Sequence, residues 1–206
     1  MKTLFGIKLG MTRVFDETGN MVPITVLKAD PHVVIDIKTK ERDGYDALKL
    51  AFGAVRSKLV NKPGAGQFKK HNIEPRRYIR EVKVAAGDEY KIGDEINVEL
   101  FAAGEKIGVI GVSKGLGFQG AVKRHGFKGG PKTHGQSDRL RAPGSIGQSS
   151  YPSRIWKGLK MAGHMGNKQV TVKNLRINSI EPQHNLILIR GAVPGKPGGL
   201  LKIFKA

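Results

Sequence analysis

The chain has 206 residues, no cysteine, and 36 Lys and Arg against 17 Asp and Glu, a formal charge of +19 at neutral pH. Without cysteine there are no disulfides and no thiolate metal sites, and a reducing, cytoplasmic setting is expected. No apolar run approaches the roughly 18 residues of a membrane helix, and so strong a positive charge implies an anionic partner, with nucleic acid the leading candidate.

In chain order, the first residues look faintly like a signal sequence, but Lys8 and Arg13 interrupt any apolar region. From residue 22 onward the pattern is β. Val22, Ile24 and Val26 alternate with Pro23, Thr25 and Leu27. Val33, Ile35 and Ile37 repeat the period, as do Leu48, Leu50 and Phe52. So do Ile96, Val98 and Leu100, and then Ile107 and Val109. Such alternation gives each strand one buried face. Turn-forming clusters at 16–20, 42–44 and 183–185 separate the runs. The spacing predicts an antiparallel barrel or sandwich built from residues 1–112 and 169–206. Within it, residues 54–95 read as a small α+β insertion, with a short helix over 67–73 and a strand over 76–84.

Beyond residue 112 the β pattern stops. Residues 113–168 hold eleven Lys and Arg, twelve glycines and one acid, Asp138, so the segment carries +10 of the chain's +19. So charged a stretch, with so few apolar contacts of its own, is expected to order on a polyanion, its glycines letting the backbone lie close. A short helix is expected near 119–124. Strands resume after 168, which makes the segment an insertion between strands. Val170 and Val172 share one phase, Leu175 and Ile177 the other, and a bulge near Lys173–Asn174 reconciles them. The run 186–189 is apolar on both faces and reads as a central strand. A last apolar run, 200–204, follows a loop rich in Pro and Gly.

Motifs in the insertion have competing readings. Gly115, Gly117 and Gly120 fit G-x-G-x-x-G, yet no second parallel strand precedes Asp138, so a dinucleotide fold is not expected. His125, His134 and His164 have basic neighbours and no carboxylate or thiolate at ligand spacing, so no metal is expected; they either meet RNA or sit in solvent. Ser145 lacks the G-x-S-x-G register and a nearby acid, which argues against hydrolysis. Trp156 and Tyr151 can stack on bases; alternatively Trp156 joins Met161 and Met165 in a small satellite core.

Several long motifs occur in a fixed order. They are Gly6 to Phe15 (GIKLGMTRVF), Val112 to Gly120 (VSKGLGFQG) and Lys123 to Phe127 (KRHGF). Then come Ala142 to Gly147 (APGSIG), Lys160 to Gly166 (KMAGHMG) and Asn185 to Gly195. On these the chain resembles the family of bacterial large-subunit ribosomal protein three, nearly end to end. The resemblance implies a translation-factor-like barrel with a small α/β insertion and no enzymatic activity or cofactor. It implies a loop that penetrates the large ribosomal RNA toward the peptidyl transferase centre. It further implies binding to the RNA's 3′ region early in assembly, with large-subunit proteins fourteen and nineteen as neighbours, and no membrane partner.

The RNA-binding residues expected on this basis are Lys8, Arg13, Lys114, Lys123, Arg124, His125, Lys128, Lys132, His134, Arg139, Arg141, Arg154, Trp156, Lys157, Lys160, His164 and Lys168. The loop tip is expected at Pro143, Gly144, Ser145, Ile146, Gly147, Gln148, Ser149, Ser150, Tyr151 and Pro152. The tip departs from the family pattern: Tyr151-Pro152-Ser153 replaces a Thr-Pro-Gly, and Leu159 replaces a lysine. Ser150 stands where some relatives carry a methylated glutamine, so that modification is not expected here.

Overall fold

A computed structural model describes residues 2–84, 90–133, 135 and 138–205. The chain divides into two compact units, one of residues 1–112 with 169–206 and one of Ser113–Lys168. The first holds two sheets. Its barrel is built from β1 (Thr3–Phe15), β2 (Met21–Lys28), β7 (Lys106–Val112), β10 (Gln169–Glu181), β11 (Leu186–Arg190) and β12 (Leu200–Lys205). They close in the order β1-β12-β7-β10-β11-β2, every pairing antiparallel. Closure removes the unpaired sheet edges that would otherwise recruit other chains.

Alternate residues of the barrel strands point inward, and in β2 the residue that joins the core cluster is Leu27, from the set opposite to Val22, Ile24 and Val26. Leu4, Leu27, Ile107, Val109, Ile177, Ile187, Ile189, Leu201 and Ile203 are all buried in one cluster. Gly111 allows β7 to lie close to its neighbours, since a Cβ there would sit 2.3 Å from Leu201 Cδ2. The expected bulge in β10 is present: its register against β7 shifts between Val172 and Leu175, with Asn174 at φ 60. The extra residue brings Val172 and Leu175, from opposite phases of the sequence, into one ladder. In β11, Ile187 and Ile189 are buried and Leu186 and Leu188 half-buried, so the strand is partly covered on its outer face as well.

The second sheet contains β3 (His32–Lys38), β4 (Ala47–Ala54), β5 (Arg76–Lys83) and the two-residue β6 (Glu95–Ile96), in the order β5-β4-β3-β6. Here the structure corrects the sequence reading. The runs at 33–37 and 48–52 were expected in the main sheet, but they pair with β5 and β6 instead. Periodicity reports that a face is buried, not which sheet buries it. One face of this sheet shares a cluster with Phe5 of β1, through Val34, Leu48, Leu50, Phe52 and Val82. The other packs Ile35 and Ala51 on Phe68 of helix α2 (Lys62–Lys69).

Helix α2 begins earlier than the 67–73 expected. Asn61 caps it, its side chain accepting from the Gly64 N–H, and Pro63 sits in the first turn, where its missing N–H costs nothing. The short helix α1 (Lys40–Asp43) ends on Gly44 in the left-handed region, at one predicted turn. The run 96–100 is not a full strand: after β6 the chain makes a 3₁₀ turn over Val98–Leu100, and Val98 is still buried. Strand β1 was not anticipated, because its outer half, from Leu9 to Phe15, is exposed on both faces and carries no alternation. Among the described residues no helix is long and apolar enough to cross a membrane.

His32 is fully buried at the start of β3, its ring stacked on Phe52 at 4.4 Å and receiving the Phe5 N–H on Nε2 at 3.1 Å. The neutral ring therefore carries its proton on the buried Nδ1. Burial pushes its pKa from 6.5 down to about 4, and the backbone and carboxylate of Asp30 oppose this only in part. Between those two values the unfolded chain takes up a proton that the folded chain does not. This part of the stability is complete above pH 6.5 and declines as the pH falls toward 4, by on the order of 3 kcal/mol. In urea titrations across that window, His32→Gln is expected to show a flatter pH dependence than wild type. An equal pH dependence would remove His32 as its source.

Candidate nucleic-acid interface

The unit Ser113–Lys168 is built from two limbs that run antiparallel at their base. The Ser113 N–H donates to Lys168 O at 2.9 Å, and the Leu116 N–H to Met165 O at 2.9 Å. Strands β8 (Gly117–Gln119) and β9 (Gly163–Met165) then pair as a two-stranded ribbon. This ribbon was not expected from the sequence. Its partners lie too far apart in the chain for local periodicity to show, and each strand is only three residues long. Gly166 makes the crossing possible: it lies at φ +76, and a Cβ there would sit 2.1 Å from Lys114 O.

Helix α3 (Ala121–His125) follows the ribbon, with Gly126 in the left-handed region at its end. It matches the helix expected near 119–124 and clasps the returning limb. The Arg124 Nη1 donates to Met161 O at 2.6 Å, and His125 Nε2 lies 3.0 Å from the same oxygen. The Arg124 guanidinium also lies over Gly163, where a Cβ would come within 2.8 Å of Nη1. Both residues were expected to bind RNA; the structure gives them an internal bracing role as well. Although α3 directly follows the Gly115–Gly120 motif, every described sheet is antiparallel, so no βαβ unit surrounds it.

Farther out, Gly130 N–H donates to Leu140 O at 2.9 Å, and Gly129 at φ +75 leaves room for that carbonyl. An open pocket lies beside this second crossing, lined by Phe127, Lys128, Arg139 and the tip residues Pro143, Gly144 and Ser145. At the tip, the Ser145 hydroxyl donates to Gly147 O and the Ser153 hydroxyl to Ser150 O, local bonds that shape exposed backbone. Residues 143–151 are all exposed and Pro152 is half-buried.

The charges decide what this unit can do. Lys114, Lys123, Lys128, Lys132, Arg139, Arg141, Arg154, Lys157, Lys160 and Lys168 are all exposed. Among the described residues, none of the ion pairs involves a residue of this unit, Asp138 included. Ala121 is the one described hydrophobic side chain of the unit that is buried. Phe118, Tyr151 and Trp156 are 77%, 81% and 61% exposed, so Trp156 does not join a satellite core; Met161 and Met165 are half-buried. The Arg154 guanidinium lies 4.9 Å over the Trp156 ring. Phe118 is not among the residues expected to bind RNA. It stands opposite the exposed His164 on the ribbon, two flat side chains at one cross-strand position. Exposed cations interleaved with exposed rings are the means of holding phosphates and stacking bases.

The other predicted residues fall differently. His134 lies outside the described residues. Arg13 is exposed on the β1–β2 hairpin, 3.9 Å from Met21 Sδ. Lys8 is corrected: it is buried, and its Nζ donates to Val193 O and Gly195 O at 3.0 and 3.2 Å. An ammonium so placed holds the loop before β12 against β1 and is not available to phosphate. Among the described residues no cluster could hold a metal ion.

The tip's bonds are local, and the crossing bond that goes with Leu140, from the Gly130 N–H, lies within Ser113–Lys168, so removing residues 140–151 is expected to leave the cooperative thermal melting of the barrel intact. Circular dichroism would show it, and loss of that transition would mean that the barrel needs the tip to fold.

Comparison with known proteins points in one direction. A sequence model of the family described as Ribosomal protein L3 matches residues 82–186. The chain is 50% identical over 203 residues to a protein of Acidothermus cellulolyticus named large ribosomal subunit protein uL3, covering 98% of this chain and 91% of that one. It is 50% identical to the protein of that name from Rhodococcus opacus and 48% identical to that of Brachyspira pilosicoli. Each of these alignments covers 100% of this chain and 94% of the relative.

Proposed function

The chain belongs to the ribosomal protein L3 family, and from that premise we propose that it is a structural constituent of the large ribosomal subunit that binds large-subunit RNA through residues 113–168. The observation that carries the proposal is the state of the charges in that unit. Every Lys and Arg of it except the bracing Arg124 is exposed, and none is neutralised by an ion pair among the described residues. Held together by main-chain bonds at two crossings, the limbs present this charge as a strip that an RNA cavity neutralises, with release of counterions. Ordering such a segment costs about 1–2 kcal/mol per residue, which favours a large prearranged anionic surround over an isolated duplex.

The role is architectural and not enzymatic. On the family pattern, the tip at 143–152 approaches the peptidyl transferase centre, the barrel contacts proteins fourteen and nineteen, and binding to the 3′ region of the RNA assists early assembly in the cytoplasm. Sedimentation of a lysate tests the proposal. Cosedimentation with the large subunit, retained at about 0.5 M salt where simple phosphate contacts weaken steeply, is the expected result. Release at moderate salt, or equal affinity for duplex DNA, would instead mean peripheral electrostatic binding.

A further inference from the structure

A second basic cluster lies within the α+β part of the first unit. Between residues 54 and 84 there are nine Lys and Arg and two acids, Glu74 and Glu81. Glu81 is already engaged, 2.9 Å from Lys38 Nζ and accepting from the Tyr45 hydroxyl. Three of these cations, Arg56, Arg76 and Arg77, line an open cleft between the start of α2 and the end of the β4–β5 pair, together with Leu59, Val60 and Phe68 among others.

Three features of this cleft point to a ligand. Arg76 lines the cleft, and its Nε is shielded from solvent with no hydrogen-bond partner, a desolvated donor. Arg56 and Arg77 also line it and take part in none of the ion pairs among the described residues, the Arg77 guanidinium lying 5.3 Å over the Tyr78 ring. Beside the guanidinium groups stands an apolar wall with Phe68 buried at its floor and Leu59 75% exposed at its rim. The nearby helix end is not the attraction, because Asn61 already caps the Gly64 N–H. A forked cationic group beside an apolar wall suits a nucleotide better than a bare anion or a carboxylate side chain: guanidinium groups grip the phosphate and the wall takes the nucleoside.

We propose that this cleft is a second RNA contact, in which Arg56, Arg76 and Arg77 hold one phosphodiester and the Leu59–Val60 wall receives an attached nucleoside. The proposal rests on the reading that the partner is RNA, and it gives the α+β part an anchoring role separate from that of residues 113–168.

The arginine Nε–H signals of the full chain, followed by NMR, test it, with Arg76→Lys assigning the Arg76 signal. The probes are the dinucleotide UpU, dimethyl phosphate as the bare diester, and tetraglutamate. The expected result is a saturable shift of the Arg76 signal with UpU and little shift with the other two at equal concentration. An equal shift with dimethyl phosphate would reduce the cleft to an anion site and overturn the nucleoside seat. A larger shift with tetraglutamate would overturn it in favour of an acidic protein partner. A twelve-residue oligouridylate added last separates the two readings. If it moves the signals of Arg139, Arg141 and Arg154 but not that of Arg76, this inference fails and the RNA reading stands. If it moves none of them, both fail.

Discussion

Gly166→Val is expected to leave the barrel folded and keep the protein out of large subunits. The residue lies at φ +76, where a β-branched side chain costs roughly 1–2 kcal/mol or more in backbone conformation alone. The larger difficulty is space. A Cβ would meet Lys114 O at 2.1 Å, Leu116 N at 3.0 Å and Gly115 Cα at 3.1 Å, all main-chain atoms that no rotamer change can move aside. The two limbs must separate, and the bonds Ser113 N–H to Lys168 O and Leu116 N–H to Met165 O go with them. Gly158→Val supplies the control, being at φ +85 with no atom within 4 Å of its Cβ position. It bears the backbone cost without the collision, and should enter subunits at close to the wild-type level. Thermal melting of each variant, followed by sedimentation of the lysate, separates a misfolded barrel from an opened ribbon. Normal incorporation of Gly166→Val would show that the crossing at Lys114 does not shape the RNA-binding unit.

What the sequence disclosed depended on the range over which each signal acts. The bulge in β10 was legible because it leaves a phase change within a few residues, between Val172 and Leu175. Helix α3 was legible from the residues between Gly120 and Gly126. Strands β3 and β4 are legible as strands, but their sheet is not, since Val34 and Leu50 read the same whether they face a barrel interior or Phe5 on its outside. The ribbon of β8 and β9 was invisible, and so was the internal use of Lys8, whose acceptors come from the far end of the chain. The charge of 113–168 was plain from composition. The basic cleft at Arg56, Arg76 and Arg77 was not, because its residues are scattered and only the β4–β5 pairing with α2 brings them together.

The arginines of the outer limbs carry the other large effect. Arg139→Ala, Arg141→Ala and Arg154→Ala combined are expected to lower the slope of log K against log salt for RNA binding by roughly 2–3, at about 0.7–0.9 for each phosphate no longer neutralised. All three side chains are exposed and free of ion pairs among the described residues, so no carboxylate is left unpaired when they are removed. Arg154 raises a competing possibility, because its guanidinium lies over Trp156 and its main task could be to hold that ring. The salt dependence distinguishes the two. A cation on a phosphate releases counterions and so sets the slope. Removing a stacking ring by Trp156→Ala instead weakens binding by about 1–3 kcal/mol and leaves the slope in place. Arg124→Ala forms the opposite control: its Nη1 is engaged by Met161 O, so its loss should loosen the clasp and weaken binding with little change of slope. If the triple variant also kept the wild-type slope, these arginines would not meet phosphate, and the strip of exposed charge would have to act through its lysines alone.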